Sequence, residues 1–193
     1  MKRIVIFASG SGSNAENLIR FFQNSSNAEV VQVLTNNPRA KVIDRCNRLN
    51  VSCLVFNRAA FYQSNDVLDF LSLKNPDLIV LAGFLWKIPE SFIKSFPNKI
   101  INIHPALLPK YGGKGMYGMH VHNAVIANKE AESGISIHWV NEHYDEGAII
   151  FQARCRISPE DSADDLVAKI HELEMTHFPK VVESLLFPVH GSE

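Results

Sequence analysis

Along the first hundred residues, hydrophobic and polar positions fall in blocks that switch between two periods. Residues 2–8 form an apolar, β-branched run that ends in the Gly/Ser cluster at 9–13. From Asn14 to Phe22 the apolar residues Ala15, Leu18, Ile19 and Phe22 recur at helical spacing. A second strand is predicted at 30–34, closed by the turn formers Asn36, Asn37 and Pro38. A helix over 40–49 and a strand over 51–56 follow, then a helix over 61–73 with Phe61, Leu68, Phe70 and Leu71 on its apolar stripe. Residues 77–82, DLIVLA, are almost continuously apolar, as strands buried on both faces of a parallel sheet are. A short helix at 91–95 leads to a fifth strand at 99–103. Strands alternating with helices predict βαβ units. The expected fold is α/β: a single-domain, Rossmann-like, mostly parallel sheet with helices on both faces.

Beyond His104 the texture changes. A Pro- and Gly-rich loop occupies 105–118, and a helix is predicted over 120–128. Strands are predicted at 134–140 and 148–156, joined by the polar segment 141–147. A closing helix runs from about 162 to 186, N-capped by Asp161 or Ser162, and Pro179 is expected to kink it or split it in two. No repeat or linker interrupts the 193 residues, so one domain over 1–193 is expected.

Composition narrows the function classes. With 46% hydrophobic and 20% charged residues the chain reads as globular and not disordered. A net charge of -1, from 19 basic and 20 acidic residues, supplies no field to hold a polynucleotide or an anionic membrane. Lys110 and Lys114 are too sparse to form a nucleic-acid patch. No apolar run approaches the roughly 20 residues of a membrane span. The opening MKRIVIFASG has the basic start of a secretory signal, but its apolar run is too short and breaks into Gly and Ser. Cys46, Cys53 and Cys155 are few, odd in number and without metal-ligand spacing, which fits a reducing cytosol. A cytoplasmic protein acting on small molecules is expected.

Three constellations could carry chemistry. Gly10, Gly12, Ser13 and Asn14 join the first strand to the first helix, where glycines admit a ligand to the backbone and free N–H groups favour an anion. Ala15 replaces the third glycine of a dinucleotide fingerprint, and Thr35-Asn36-Asn37 offers no ribose-binding acid, so a single phosphate is favoured over NAD. The alternative is that these glycines only make the turn. Asn102 and His104, two apart on the fifth strand, project to one side at the end where α/β sheets bind ligands. An amide donor beside an imidazole suits acyl-type chemistry, with an oxyanion at the amide and acid–base work at the ring. Equally, they could only satisfy loop groups before Pro105. Asp145 either serves a turn or pairs with His104, orienting the ring and raising its pKa. His120 and His122 lack helical metal spacing and read as solvent or loop histidines, so no metal site is expected. His138 could face the core or a pocket.

Taken together, GSGSN at 10–14, DLIVLAGFLWKI at 77–88, KIINIHPALLPKY at 99–111 and GISIHWVNEHYDEGAIIFQ at 134–152 resemble the folate-dependent formyltransferases, in particular the phosphoribosylglycinamide formyltransferases. The resemblance extends to about Phe187. It implies Asn102, His104 and Asp145 as catalytic residues. It also implies Gly12, Ser13 and Asn14 as the phosphoribosyl-binding loop, and Glu174 at the glycinamide end of the substrate. Folate binding falls on Leu85, Trp86, Lys87 and Ile88, with Asn102. The phosphate-binding part would lie in about 1–100 and the folate and catalytic part in about 80–190. The implied reaction passes a formyl group from 10-formyltetrahydrofolate, a cosubstrate, to the amine of 5-phosphoribosylglycinamide in purine biosynthesis. No resident cofactor, metal, nucleic acid or membrane is implied, and a homodimer is admitted. This chain departs from the pattern in having Trp86 where an Arg is frequent, and in a longer loop at 111–122. A sugar-amine formyltransferase and a non-catalytic nucleotide-binding module stay open as alternatives.

Overall fold

The computed structural model describes residues 1–188, so residues 189–193 of the expected domain lie outside the described residues. In chain order the elements are β1 (Lys2–Phe7), α1 (Ser13–Phe22), β2 (Ala28–Thr35), α2 (Val42–Arg48), β3 (Cys53–Val55), α3 (Arg58–Tyr62) and α4 (Asp66–Lys74). They continue as β4 (Leu78–Leu81), α5 (Glu90–Ser95), β5 (Ile100–His104), α6 (Met119–Ala127), β6 (Glu132–Trp139), β7 (Ile149–Arg156) and α7 (Ala163–Leu186).

The seven strands form one sheet in the order β3-β2-β1-β4-β5-β6-β7. The pairs from β3 to β5 are parallel, and β6 and β7 add an antiparallel edge. The chain winds outward from β1 to β3, then returns to place β4 on the other flank of β1. That reversal opens a crevice beyond the carboxyl ends of β1 and β4. Period-two alternation along β1 explains the layering. Ile4 and Ile6 join a core with Leu18, Phe22, Phe178 and Val182, under α1 and α7. Val5 and Phe7 point oppositely, into a core with Phe61, Leu71 and Phe92 under α3, α4 and α5. Each such side chain, fully buried, contributes about 1.5–3 kcal/mol.

Two expectations need correction. The helix expected over 61–73 is two helices. Asn57 caps the first, its side chain accepting from the Ala60 N–H at 2.9 Å, and the polar turn at 63–65 separates it from α4. Pro179 does not split the closing helix, which is continuous over Ala163–Leu186 and starts from a capping box between Ser162 and Asp165. Proline removes the N–H that would bond the carbonyl of Met175, and that carbonyl instead accepts from Asn17 Nδ2 at 3.0 Å. Among the described residues, no helix is long and apolar enough to cross a membrane.

Candidate active site

A cleft of about 830 Å3 lies at the carboxyl ends of β1, β4 and β5, floored by the sheet and walled by the loops that follow each strand. Gly12, Ser13, Asn14, Leu85, Trp86, Lys87, Ile88, Asn102, His104, Asp145 and Glu174 all line it.

At one end, the turn between β1 and α1 is shaped by α2. Gly12 has φ 72°, and a Cβ there would sit 2.4 Å from Val42 Cγ2 and 2.9 Å from Val42 Cα. The Val42 N–H donates to the Gly10 carbonyl at 3.2 Å, and Arg45 Nε donates to the Ser11 carbonyl at 2.7 Å. Both carbonyls are thereby occupied by α2. Gly12 caps α1 without a side-chain hydrogen bond, leaving the first-turn N–H groups for an anion. Asn14, buried, donates through Nδ2 to Glu174 Oε2 of α7 at 2.9 Å. Burial pushes the Glu174 carboxyl up to about 7, against the opposing pull of the Asn14 donor.

The middle wall follows β4. Gly83, at φ 71°, turns the chain, and the Leu85 N–H donates to Ser9 Oγ at 3.0 Å, joining this wall to the first loop. Tyr62 Oη donates to the Lys87 carbonyl at 2.8 Å. Ile88 is buried in the core and Leu85 is exposed. Trp86 is half-buried, its ring 5.9 Å from Phe56, 5.8 Å from Phe61 and 5.8 Å from Tyr62, with the Arg58 guanidinium 5.7 Å from its centroid. It both packs on this aromatic group and faces the cleft.

At the other end, four polar side chains converge. The antiparallel register sets Asn102 opposite His138. His138 Nδ1 lies 2.9 Å from the Trp139 carbonyl, which fixes the proton on Nδ1 and leaves Nε2 to accept from Asn102 Nδ2 at 3.1 Å. Asn102 Nδ2 also lies 3.3 Å from Asp145 Oδ1. Asp145 stands in the left-handed region at φ 57°, its Oδ2 accepting from the Gly113 N–H at 2.9 Å. The same Oδ2 is 3.7 Å from His104 Nδ1. His104 Nε2 donates to the Tyr111 carbonyl at 2.7 Å, so a second proton on Nδ1 would make the contact with Asp145 an ion pair.

The electrostatics at this end pull His104 in opposite directions. Burial holds the His104 imidazole below its ordinary pKa and His138 adds to this, while Asp145 and the Tyr111 carbonyl pull it upward. Asp145 acts in the expected direction, but desolvation outweighs it in the unliganded protein. The Asp145 carboxyl is pushed up by burial, yet His138, His104 and the Gly113 N–H together hold it below the usual carboxylate range.

His138, left open by the sequence, belongs to this group. His122, expected in solvent, is buried on α6 and lines the cleft, with no hydrogen-bond partner for Nδ1 among the described residues. Its pKa is lowered by burial and then by nearby His104. The signal available in the sequence is its helical spacing with Val121 and Val125, both buried on the same face.

Residues 2–182 match the Formyl transferase family. The chain is 34% identical over 193 residues to a phosphoribosylglycinamide formyltransferase of Bacillus subtilis, covering 96% of this chain and 95% of the relative. It is 35% identical over 190 residues to the chloroplastic phosphoribosylglycinamide formyltransferase of Arabidopsis thaliana. That match covers 95% of this chain but spans only 65% of the plant protein. The crystal structure of glycinamide ribonucleotide transformylase 1 from Geobacillus kaustophilus superposes with a TM-score of 0.87 at 33% identity, covering 96% of this chain and 99% of that one. With likeness of this extent in both sequence and fold, the chain belongs to the formyl transferase family.

Proposed function

We propose that this protein transfers the formyl group of 10-formyltetrahydrofolate to the primary amine of 5-phosphoribosylglycinamide, a step of purine biosynthesis. The observation that carries this reading is the position of Asn102, His104 and Asp145 at one end of a cleft whose other end is an anion-binding turn. The phosphate docks on the N–H groups of Gly12, Ser13 and Asn14. The glycinamide end lies against Glu174. The folate ring, flat and polar-edged, fits the wall at Leu85, Trp86, Lys87 and Ile88, where main-chain groups pair with its edge.

The substrate amine attacks the formyl carbon, a C–N bond forms, and the carbonyl electrons move onto oxygen. Asn102 Nδ2 and the positive charge of protonated His104 stabilise that oxyanion. Asp145, 3.7 Å from His104 Nδ1, favours the protonated imidazole. Collapse of the intermediate breaks the bond to the folate nitrogen, which takes up the proton released by the amine. Tetrahydrofolate and the formylated amide leave.

The test is an absorbance assay for deformylated folate, with and without phosphoribosylglycinamide. Folate release that depends on the phosphorylated amine is expected. Saturable binding of that amine without turnover would instead favour a nucleotide-binding module. The same reading makes 1–193 a single domain that acts on small molecules in the cytoplasm. It admits a homodimer, which sedimentation at micromolar concentration would test.

A further inference from the structure

α7 carries a proline in its interior and one of the cleft's side chains a turn away. Pro179 has no N–H, so the carbonyl of Met175, four residues earlier, lacks the donor that continues an α-helix. In a half-buried helix, an orphaned carbonyl invites water or a kink. Here a side chain from another helix takes the place of the missing donor: Asn17 Nδ2 lies 3.0 Å from the Met175 carbonyl oxygen. Only the amide nitrogen of Asn17 can face that oxygen, because two acceptors would repel.

Asn17 is three residues after Asn14 on α1, so the two amides share one face of the helix. Asn14 Nδ2 reaches Glu174 Oε2 at 2.9 Å, and Asn17 Nδ2 reaches the main chain of the next residue. Two amides on one turn of α1 therefore grip two consecutive residues of α7. The first grips the carboxylate and the second grips the backbone that carries it. The Asn14 bond alone leaves the turn of α7 free to slide or kink at the proline. With both bonds, the position of the Glu174 carboxyl relative to the anion-binding turn is set.

We infer that Asn17 is a positioning residue for substrate recognition, fixing the turn of α7 that holds Glu174 in the cleft by supplying the hydrogen bond that Pro179 withholds. This rests on the reading that Glu174 meets the glycinamide end of the substrate. Asn17 itself touches no ligand. Its effect belongs to the phosphorylated amine and not to the folate, whose wall follows β4.

The experiment is a double-mutant cycle on the full chain, with Asn17→Ala, Pro179→Ala and the two combined. Alanine is the best helix former, so the first change spares α1 itself. A hydrogen bond is worth about 0.5–1.5 kcal/mol net, so Asn17→Ala should raise the KM for phosphoribosylglycinamide about two- to tenfold. The folate KM and kcat should stay within about twofold. In the Pro179→Ala background Met175 has a main-chain donor, and adding Asn17→Ala should then change that KM by less than about twofold.

The Glu174 carboxyl, followed by 13C NMR without substrate, gives a second readout. Its midpoint, about 7 in the unaltered protein, should fall toward the ordinary carboxylate value in Asn17→Ala as water enters, and return in the double variant. An equal rise in KM with or without Pro179→Ala would overturn the inference. So would a joint loss of kcat and both KM values, or a Glu174 midpoint that is the same in all four proteins. Absence of turnover by the unaltered protein would overturn the proposed function instead, and the carboxyl titration would then decide the inference by itself.

Discussion

At one end of the cleft the groups offered to a ligand are main-chain N–H groups of a contiguous stretch, residues 10–14, held in shape by α2. At the other they are side chains of Asn102, His104, His138 and Asp145, brought together from two strands of an antiparallel edge and the loop beyond it. The first end depends on backbone shape. The second depends on particular atoms, whose protonation is set by burial and by one another. A backbone site tolerates side-chain exchange but not an added methyl group at the wrong glycine. A side-chain site tolerates neither loss of a donor nor loss of a charge.

The largest effect should come from removing a donor at the side-chain end. Asn102→Ala and His104→Ala are each expected to lower kcat for formyl transfer by about 10²–10³, with an unchanged circular dichroism spectrum. Steady-state kinetics with both substrates saturating measures this. A His104→Ala protein within tenfold of the unaltered rate would take the imidazole out of the reaction.

Charge at the same end comes next. In the proposed reaction His104 holds its second proton to stabilise an oxyanion, so activity should fall as pH rises through its pKa in the working complex. Burial pulls that pKa down and Asp145 pulls it up. An opposite charge this close moves a pKa by about one to three pH units, so Asp145→Asn should move the alkaline fall in kcat to lower pH by an amount of that order. The Gly113 N–H keeps an oxygen to bond in the asparagine variant. An alkaline limb that does not move would leave Asp145 a loop-shaping residue only.

The glycine end should respond through stability and KM. Gly12→Ala forces a side chain into the left-handed region and against Val42, which should cost about 1–3 kcal/mol and lower Tm. At Gly10 an added methyl group would meet nothing within 4 Å, and the backbone has no positive φ, so Gly10→Ala should leave Tm within about 2 °C. If a ligand docks on this turn, Gly10→Ala still raises the KM for the phosphorylated amine. Thermal melts paired with KM values separate the two roles. Equal changes in both substrates' KM would assign the turn to the fold.

The same contrast decides what was legible in the sequence. Residues 10–14, the buried run at 77–82 and the Asn-x-His pair at 102–104 are contiguous, so pattern and turn chemistry reach them directly. A mostly parallel sheet is implied by alternating elements, and β1, β4 and β5 stand within a residue or two of their expected bounds. Partnerships across the chain are a different matter. The place of His138 depends on its register opposite Asn102, and that of His122 on which face of α6 is inward. The split between α3 and α4 turned on the Asn57 cap, which overrides an apolar stripe that reads as one helix. Pro179 was expected to kink or split α7; the helix is not split, and the amide that bonds the Met175 carbonyl, Asn17, lies 158 residues away in sequence. Local propensity sees the missing donor and not the distant amide that replaces it.

Glu174 stands beside the glycine turn, bonded to Asn14, and the smallest effect expected is on the stability of the empty protein. Its carboxyl is buried against Asn14 and lifted to about 7, well above the 4.5 of an unperturbed glutamate. Between those values the folded protein holds a proton that the unfolded chain releases. Stability therefore falls as pH rises from about 4.5 to about 7, and above that the full cost of a buried carboxylate is present. A rise of one in pKa is worth about 1.4 kcal/mol, so the cost at pH 8 is on the order of 3 kcal/mol. Glu174→Gln removes that cost and keeps an oxygen for Asn14 to donate to. The variant should melt at the same temperature as the unaltered protein near pH 4.5 and a few degrees higher at pH 8. At pH 8 it should also bind phosphoribosylglycinamide less tightly. A gap in Tm that is independent of pH would mean that the carboxyl is already ionised and solvated in the folded state. A stabilised variant with an unchanged KM would mean that the burial serves no substrate. The combination expected, higher Tm with weaker binding, is what a charge held in place for a ligand produces.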